Sequence, residues 1–493
     1  MSKKLAIEAQ INSGIVLGYM VLMIILGYFA GRRTKPTAED FYLMERKIGP
    51  VLILFTYLAT LQSMVAFLAA TATYATHGVA FLVLPVSQGI ILLLLTLLTG
   101  WKFRELAKEH GMLTQGDFIY YRYGSKAGQF ITGLAGYIFN LFYIGTQPIG
   151  MAYILWALGL MDYNTALLLV GGVTLVYTLI GGLRAVVWTD FIQGILLLLF
   201  LVVAAFFILA PIGGIGGAIS LAYSKNPALF SLPGPAKFYR DGIWFSLFIA
   251  LPLGIWLSPH LFVRHYMARD RKSLAMIPIA VILSQCIMWV VVSPLLGLIT
   301  GPLLGPVKDW RIPRADLAIP FLLEKFAPWW VIGPVLAGAM AAGMSTVDSQ
   351  MLLSGQIFVR DIYEPLFKKR ISDKGAIQLG RVCIIITTII AIIIALNPPP
   401  LFIDLMIGVA FAGFAQFFPG LIIGLYWKRL NKYGVIVGLI AGLATVTGIQ
   451  LYQMIYKVGA IGYFMDVHNG VWGLVVNIVL AVIVSLITKV EQK

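Results

Sequence analysis

The chain has 493 residues, 60% of them hydrophobic and only 12% charged, with a formal net charge of +15 and a mean hydropathy of +0.90. A soluble domain is typically about 25% charged, so the surface that a soluble fold needs is missing. Lys and Arg are scattered through short loops rather than gathered in one patch, which excludes a nucleic-acid-binding face as the meaning of the positive charge.

Hydropathy marks about thirteen membrane spans, near 12–30, 50–76, 79–100, 126–158, 163–182, 189–211, 243–262, 273–300, 328–356, 378–397, 400–427, 433–455 and 469–488. The expected fold is therefore an all-α polytopic membrane protein. The first span (12–30) lacks the small-residue cleavage site of a signal peptide and reads as retained. The second is interrupted by polar and small residues ("YLATLQSMVAFLAATATYATHG"), and so is the seventh ("LPLGIWLSPHLFVRH"). Two interrupted spans five apart are what an inverted-repeat transporter shows, with the broken helices forming its site.

Numbering the loops alternately, one side holds "GRRTKPTAEDFYLMERK", "WKFRELAKEH", "RHYMARDRKS", "RDIYEPLFKKRISDKG" and "WKRLNKYG". It carries about 26 of the 36 Lys and Arg. That bias predicts a cell (plasma) membrane protein with this side in the cytoplasm, the N-terminus outside and the C-terminus inside. The opposite loops near 212–242 and 301–327 are long and rich in Pro and Gly, where gating or capping structure tends to sit. Cys286 and Cys383 lie in apolar runs and read as packing residues rather than a disulfide or metal pair.

The stretch "AGAMAAGMSTVDSQMLLSG" (337–355) places Ser345, Thr346, Asp348 and Ser349 inside an apolar span. On a helix Ser345 meets Ser349 at i, i+4 and Asp348 at i, i+3, so their oxygens converge on adjoining faces, with Ala342 one turn before. An aspartate at the centre of a spanning helix costs ~2.5–3.5 kcal/mol on insertion scales. A single hydroxyl would be read as returning a hydrogen bond to its own helix or to a neighbour. Four polar groups in five positions favour a site for a hard cation, which takes several oxygen ligands. A second stretch, "YTLIGGLRAVVWTDFIQGILLLL" (177–199), has Gly181-Gly182 and Arg184 at a tight turn and Asp190 opening the next span. Taken alone, Asp190 is a capping charge at a helix N-terminus.

The segment "GGLRAVVWTDFIQ" closely resembles the signature of the sodium:solute symporter family, and "AAGMSTVDSQ" followed by "RDIY" resembles that family's sodium-binding helix. The resemblance runs over nearly the whole chain. It implies a LeuT-type core of two inverted five-helix repeats with broken first and sixth core helices. The repeats would be 50–211 and 243–427, with a peripheral first span (12–30) and two peripheral C-terminal spans (433–488), all in one transporter domain. It implies a main sodium site from the carbonyls of Ala59, Gln62 and Ala342 and the hydroxyls of Ser345 and Thr346. Some relatives have a second sodium site, whose positions here are Asp190, Ser345, Asp348 and Ser349. This sequence places Asp348 where a serine is usual, which suits a second cation, a proton carrier, or a pairing with a neighbouring span's donor.

On the solute side, the stretch "LQSMVAF", with Ser63, Val65 and Phe67, is apolar where sugar-binding relatives carry Asn, Asp or Glu, which argues against a sugar. "SPHLFVRHYMARD" carries Pro259, His260 and Arg264 and resembles the branch that moves pantothenate, acetate and other monocarboxylates. Proline breaks the helix there, and His260 and Arg264 offer donors to a carboxylate. The alternative for Arg264, and the stronger reading for His265, is a residue facing the cytoplasm. Gln88 and Gln416 are the further cavity candidates, on helices that line the family's solute cavity.

The resulting expectation is a sodium-coupled secondary active symporter importing a small carboxylate by alternating access. It has no cofactor other than Na+ as coupling ion and partners only with solute, ion and bilayer. Rivals are an amino-acid symporter such as one for proline, proton coupling through Asp348, and a membrane sensor module, a fusion against which the short tail after about residue 489 argues. An enzyme is not expected, since no Ser-His-Asp spacing, metal-type cluster or paired-carboxylate arrangement is visible.

Overall fold

A backbone buried in lipid must satisfy its own N–H and C=O groups, which helices do within one segment. The computed structural model describes residues 3–399, 401–460 and 462–488, and helix dominates them. The Tyr463–Phe464/Val467–His468 hairpin and one bridge between Ile48 and Ala268 are the only extended pairings among the described residues.

Ten stretches are long and apolar enough to cross a membrane. An eleventh is the pair Asp241–Trp256 and Pro259–Met267, bent by 50° at its break. Two of the ten are double length, 45 residues at Val65–Glu109 and 50 at Tyr163–Ile212. At ~1.5 Å per residue either would be more than twice the ~30 Å of hydrocarbon if straight. Each turns back at a glycine of positive φ, Gly78 (65°) and Gly182 (56°). The thirteen spans expected from hydropathy depend on dividing the chain at these two glycines and joining the short apolar helix Pro50–Leu61 to the helix after it.

Gly182 shows why the turn needs that residue. Its φ/ψ of 56°/−157° borders a region essentially restricted to glycine, and a Cβ there would lie 2.7 Å from Phe41 Cδ2 and 3.0 Å from the Phe41 carbonyl oxygen. Two residues on, Arg184 Nη2 reaches Asp40 Oδ1 at 2.6 Å and fixes the turn to the helix Ala38–Leu43.

Burial sorts the helices. The most hydropathic windows of Lys126–Ala157 and Trp329–Phe367 are each 83% buried, whereas those of Ile7–Gly31 and Asn469–Ile487 are 33% buried. The former pack on neighbours all round; the latter show one side to lipid. The long 212–242 connection is structured, with a helix at Gly214–Lys225. It packs so closely on the turn at Gly78 that a Cβ there would meet the Leu229 carbonyl at 2.1 Å. Both cysteines are free thiols, Cys383 buried and Cys286 exposed, so only the former packs inside the protein.

Candidate functional site

The helix Pro50–Leu61 stops because Gln62 turns extended (φ −92°, ψ 112°). Beyond the break Ser63 starts the next turn, its carbonyl accepting from the Ala66 and Phe67 N–H groups and its Oγ from the Val65 N–H. The Met64 N–H, which an unbroken helix would give to the Thr60 carbonyl, donates instead to Gln147 Oε1 at 3.0 Å. Carbonyls on the near side of the break are thereby released from helical pairing.

They meet the hydroxyls of the Trp329–Ile357 helix. Ser345 Oγ donates to the Ala59 carbonyl at 3.0 Å and to the Ala342 carbonyl at 3.2 Å. Thr346 Oγ1 lies 3.4 Å from the carbonyls of Thr60 and Gln62 and 3.2 Å from that of Ala342. Ala59, Gln62, Ala342, Ser345 and Thr346, expected from the sequence as one cage, are thus together, all fully buried. Thr60 joins them, a residue the sequence reading missed. Oxygens about 2.4 Å from a hard cation stand roughly 3.4 Å from one another in an octahedral shell, and these separations are close to that.

Beside this cage lies a charged cluster. Asp190 Oδ2 accepts from Thr56 Oγ1 at 2.5 Å, from Thr60 Oγ1 at 3.5 Å and from Arg264 Nη2 at 3.1 Å. Arg264 Nη2 also donates to Thr60 Oγ1 at 2.7 Å and to Ser349 Oγ at 2.5 Å. Arg264, which the sequence suggested for the solute carboxylate, is here engaged with Asp190 and Ser349 instead. It is only 1% exposed, and so is His265, which contacts Thr96 and packs edge-on against Tyr57; neither side chain lies in solvent. Asp190 is not at a helix start: the Tyr163–Leu209 stretch breaks at Gly182, and Asp190 lies about two turns inside the helix that follows the break. Asp348 stands apart: its Oδ2 accepts from Tyr177 Oη at 2.9 Å, and its Oδ1, like Asp190 Oδ1, has no hydrogen-bond partner. Thr56, Thr60 and Tyr177 were legible only in part. The i, i+4 spacing of the two threonines marks one helical face, but nothing in sequence says what that face meets.

The remaining solute candidates scatter. Ser63, Val65, Phe67 and Pro259 are buried at or near the two breaks, Pro259 as the first residue of its helix with Ser258 extended before it. His260 is buried with neither ring nitrogen paired, edge-on to Tyr143. Gln62 Oε1 accepts from Trp289 Nε1 at 2.6 Å while its Nε2 is unpartnered. Gln285, one turn before Trp289, has both amide atoms unpartnered, and Gln88 Oε1 is likewise unpaired. Gln416 belongs elsewhere: it donates to the carbonyls of Ala412 and Gly470 and accepts from Asn477, tying its span to the last helix.

A crevice of only ≈ 10 Å³ is bounded by His260, Arg264 and Ser349 and also by Tyr42 and Gln356. The last two border a larger cavity of ≈ 240 Å³ that includes Arg46, Arg360 and Arg370. Tyr42 and Gln356 thus stand between the charged cluster and the cavity at the basic face. Among the described residues no group of three or more His, Cys, Asp or Glu could hold a metal ion. The oxygens of the cage are carbonyls and hydroxyls, suited to an alkali cation that enters and leaves.

The model of the sodium:solute symporter family matches residues 41–442. The chain is 28% identical over 501 residues to the osmoregulated proline transporter OpuE of Bacillus subtilis (99% of this chain, 96% of that one). It is 29% identical over 456 residues to the sodium/pantothenate symporter of Haemophilus influenzae (90% and 92%). Among solved structures it resembles a substrate-bound, outward-open Na+-coupled sialic acid symporter, with a TM-score of 0.80 at 19% identity, covering 97% of this chain and 98% of that one.

Proposed function

The chain belongs to the sodium:solute symporter family, and from that premise we propose that it imports a small carboxylate-bearing solute with Na+ held between the broken second span and the Trp329–Ile357 helix. The family membership makes it a multi-pass membrane symporter that couples sodium to an organic solute. The observation that carries the finer reading is the convergence of the Ala59, Gln62 and Ala342 carbonyls with the Ser345 and Thr346 hydroxyls. Unwound carbonyls inside a membrane are costly unless something takes them. A cation there joins the Pro50–Leu61 helix to the Trp329–Ile357 helix, and its release loosens both. Coupling follows if the ion binds the outward state more tightly, because a ligand shifts an equilibrium only by its differential affinity.

Two relatives, named for proline and for pantothenate, share a carboxylate in their solutes. Donors fit for one here are Gln62 Nε2, Gln285 Nε2 and the His260 ring, buried and unpartnered. Arg264 is not counted among them, since Asp190 holds it. The apolar neighbours Val65 and Phe67 suit a compact hydrocarbon portion. The chain is read as two inverted repeats, 50–211 and 243–427, with the basic face in the cytoplasm and the N-terminus outside.

The test is uptake of labelled pantothenate, proline, acetate and pyruvate into proteoliposomes under an inward Na+ gradient. One of them should accumulate only with the gradient, and Ser345→Ala should demand far more Na+ for the same uptake. Accumulation indifferent to Na+ would refute the coupling. A second reading is favoured by one observation, the unpartnered Asp348 Oδ1: proton coupling. It is selected if a pH gradient alone drives uptake and Asp348→Asn ends it.

A further inference from the structure

An arginine paired with a carboxylate ordinarily uses its planar fork, two N–H groups meeting two oxygens in parallel. Arg264 does not. Its contacts gather on a single nitrogen: Nη2 faces Asp190 Oδ2, Thr60 Oγ1 and Ser349 Oγ at 3.1, 2.7 and 2.5 Å. Nε and the second carboxylate oxygen, Asp190 Oδ1, have no partner, and Nη1 reaches only the Met267 sulfur at 3.6 Å. One carboxylate oxygen and two hydroxyls drawn around one positive atom is how a small monovalent cation is coordinated, not how a guanidinium is recognised. The guanidinium is left with an unpaired Nε while three oxygens crowd its Nη2, which points to oxygens arranged for a point charge.

This cage and the main one share a residue. The Thr60 hydroxyl faces Arg264 Nη2 while the Thr60 carbonyl faces Thr346 Oγ1 at 3.4 Å. The oxygens come from the Pro50–Leu61, Tyr163–Leu209 and Trp329–Ile357 helices, whereas the plug comes from Pro259–Met267, the far half of the other broken span.

We propose that Arg264 is a tethered cation: its Nη2 fills a second monovalent-cation cage built by Asp190, Thr60 and Ser349, so that one Na+, in the main cage, moves per solute. The inference rests on the sodium site proposed above. Because the plug rides on a broken helix, it leaves the cage only when that half-helix moves away from the other broken span. The second positive charge is thus returned with the protein at every cycle instead of being transported.

The experiment measures 22Na+ and labelled solute together in proteoliposomes at fixed potential, for the full chain and two variants. The wild type should move one Na+ per solute with non-cooperative Na+ activation. Arg264→Gln empties the cage of charge while leaving Asp190, so Na+ activation should turn cooperative and the ratio rise toward two. Arg264→Lys keeps a compact point charge and should keep the ratio of one, with half-saturating Na+ within about threefold of wild type, a coupling change under ~1 kcal/mol by RT ln 3. A wild-type ratio of two overturns the proposal. So does a folded Gln variant that still takes one ion, or a Lys variant whose Na+ dependence weakens more than about tenfold. Wild-type uptake that ignores Na+ altogether refutes instead the sodium reading beneath it.

Discussion

Ser345 donates its hydroxyl to the carbonyl of Ala59 at 3.0 Å, across 286 positions of sequence. The bond joins the end of the Pro50–Leu61 helix to the middle of the Trp329–Ile357 helix, the two elements whose separation would open a path through the protein. On the function proposed above, an ion shared by these groups would clasp the two elements together, and it could shift their equilibrium only by binding one arrangement more tightly.

Removing either hydroxyl should loosen the clasp. A hydrogen-bonding partner of a charged group is worth about 1.5–3 kcal/mol, so Ser345→Ala or Thr346→Ala is expected to raise half-saturating Na+ about 10- to 150-fold. The thermal stabilisation that Na+ gives the purified protein should fall in parallel. Thr346→Ser, which keeps the hydroxyl, should restore most of it. Unchanged Na+ titrations in both alanine variants would remove Ser345 and Thr346 from the ion site.

Tyr177 and Asp348 give a stability test separate from transport. Tyr177 Oη donates to Asp348 Oδ2 and lies 3.1 Å from the Met344 carbonyl. Tyr177→Phe leaves a buried carboxylate oxygen without a donor, at an expected cost of about 1–3 kcal/mol. Thermal melts in detergent should show the loss, and Asp348→Asn in the same background should recover part of it. If the Phe variant melts with the wild type, Asp348 has another partner.

Gly182→Ala should be among the more damaging single-carbon additions in the chain. It combines a positive φ of 56° with a Cβ 2.7 Å from Phe41, and strain of this kind costs of order 1–3 kcal/mol before the clash is added. Expression and monodispersity on size exclusion are the measurement. The neighbouring Gly172, whose added Cβ would meet nothing within 4 Å, is the control and should accept alanine.

On the basic face, Arg360 Nε bonds both oxygens of Asp117 at 2.8 and 3.0 Å, and its Nη1 reaches Glu364 at 2.9 Å. This pins the helix Gln115–Tyr123 to the end of the site helix, beside the cavity that leads outward. Both Arg360 and Asp117 are largely shielded from water, so Arg360→Ala leaves a shielded carboxylate unpaired and should lower stability by about 2–4 kcal/mol. A maleimide probe applied to the basic face should also label Ser349→Cys faster in that variant. Labelling rates equal to those of the Arg360 parent would show that the bridge does not hold the cleft shut.

The sequence by itself determined the membrane class, the two interrupted spans, and the cluster of polar groups at Ser345–Ser349; the grouping of Ala59, Gln62, Ala342, Ser345 and Thr346 came from the family resemblance, and the fold brings those five together. The class, the interruptions and the polar cluster are legible because hydropathy and the spacing of polar groups along a helix are local properties. Tertiary structure alone decided where the charges went. Arg264 and Asp190 are 74 positions apart and meet at 3.1 Å, a pairing set by how the Pro259–Met267 helix packs against its neighbours and invisible to spacing along the chain. For the same reason Thr60 emerged as the residue between Arg264 and Thr346 and Gln416 as a tie to the last helix. Which helical face meets which is fixed by packing of distant segments, and that information is carried by the fold as a whole.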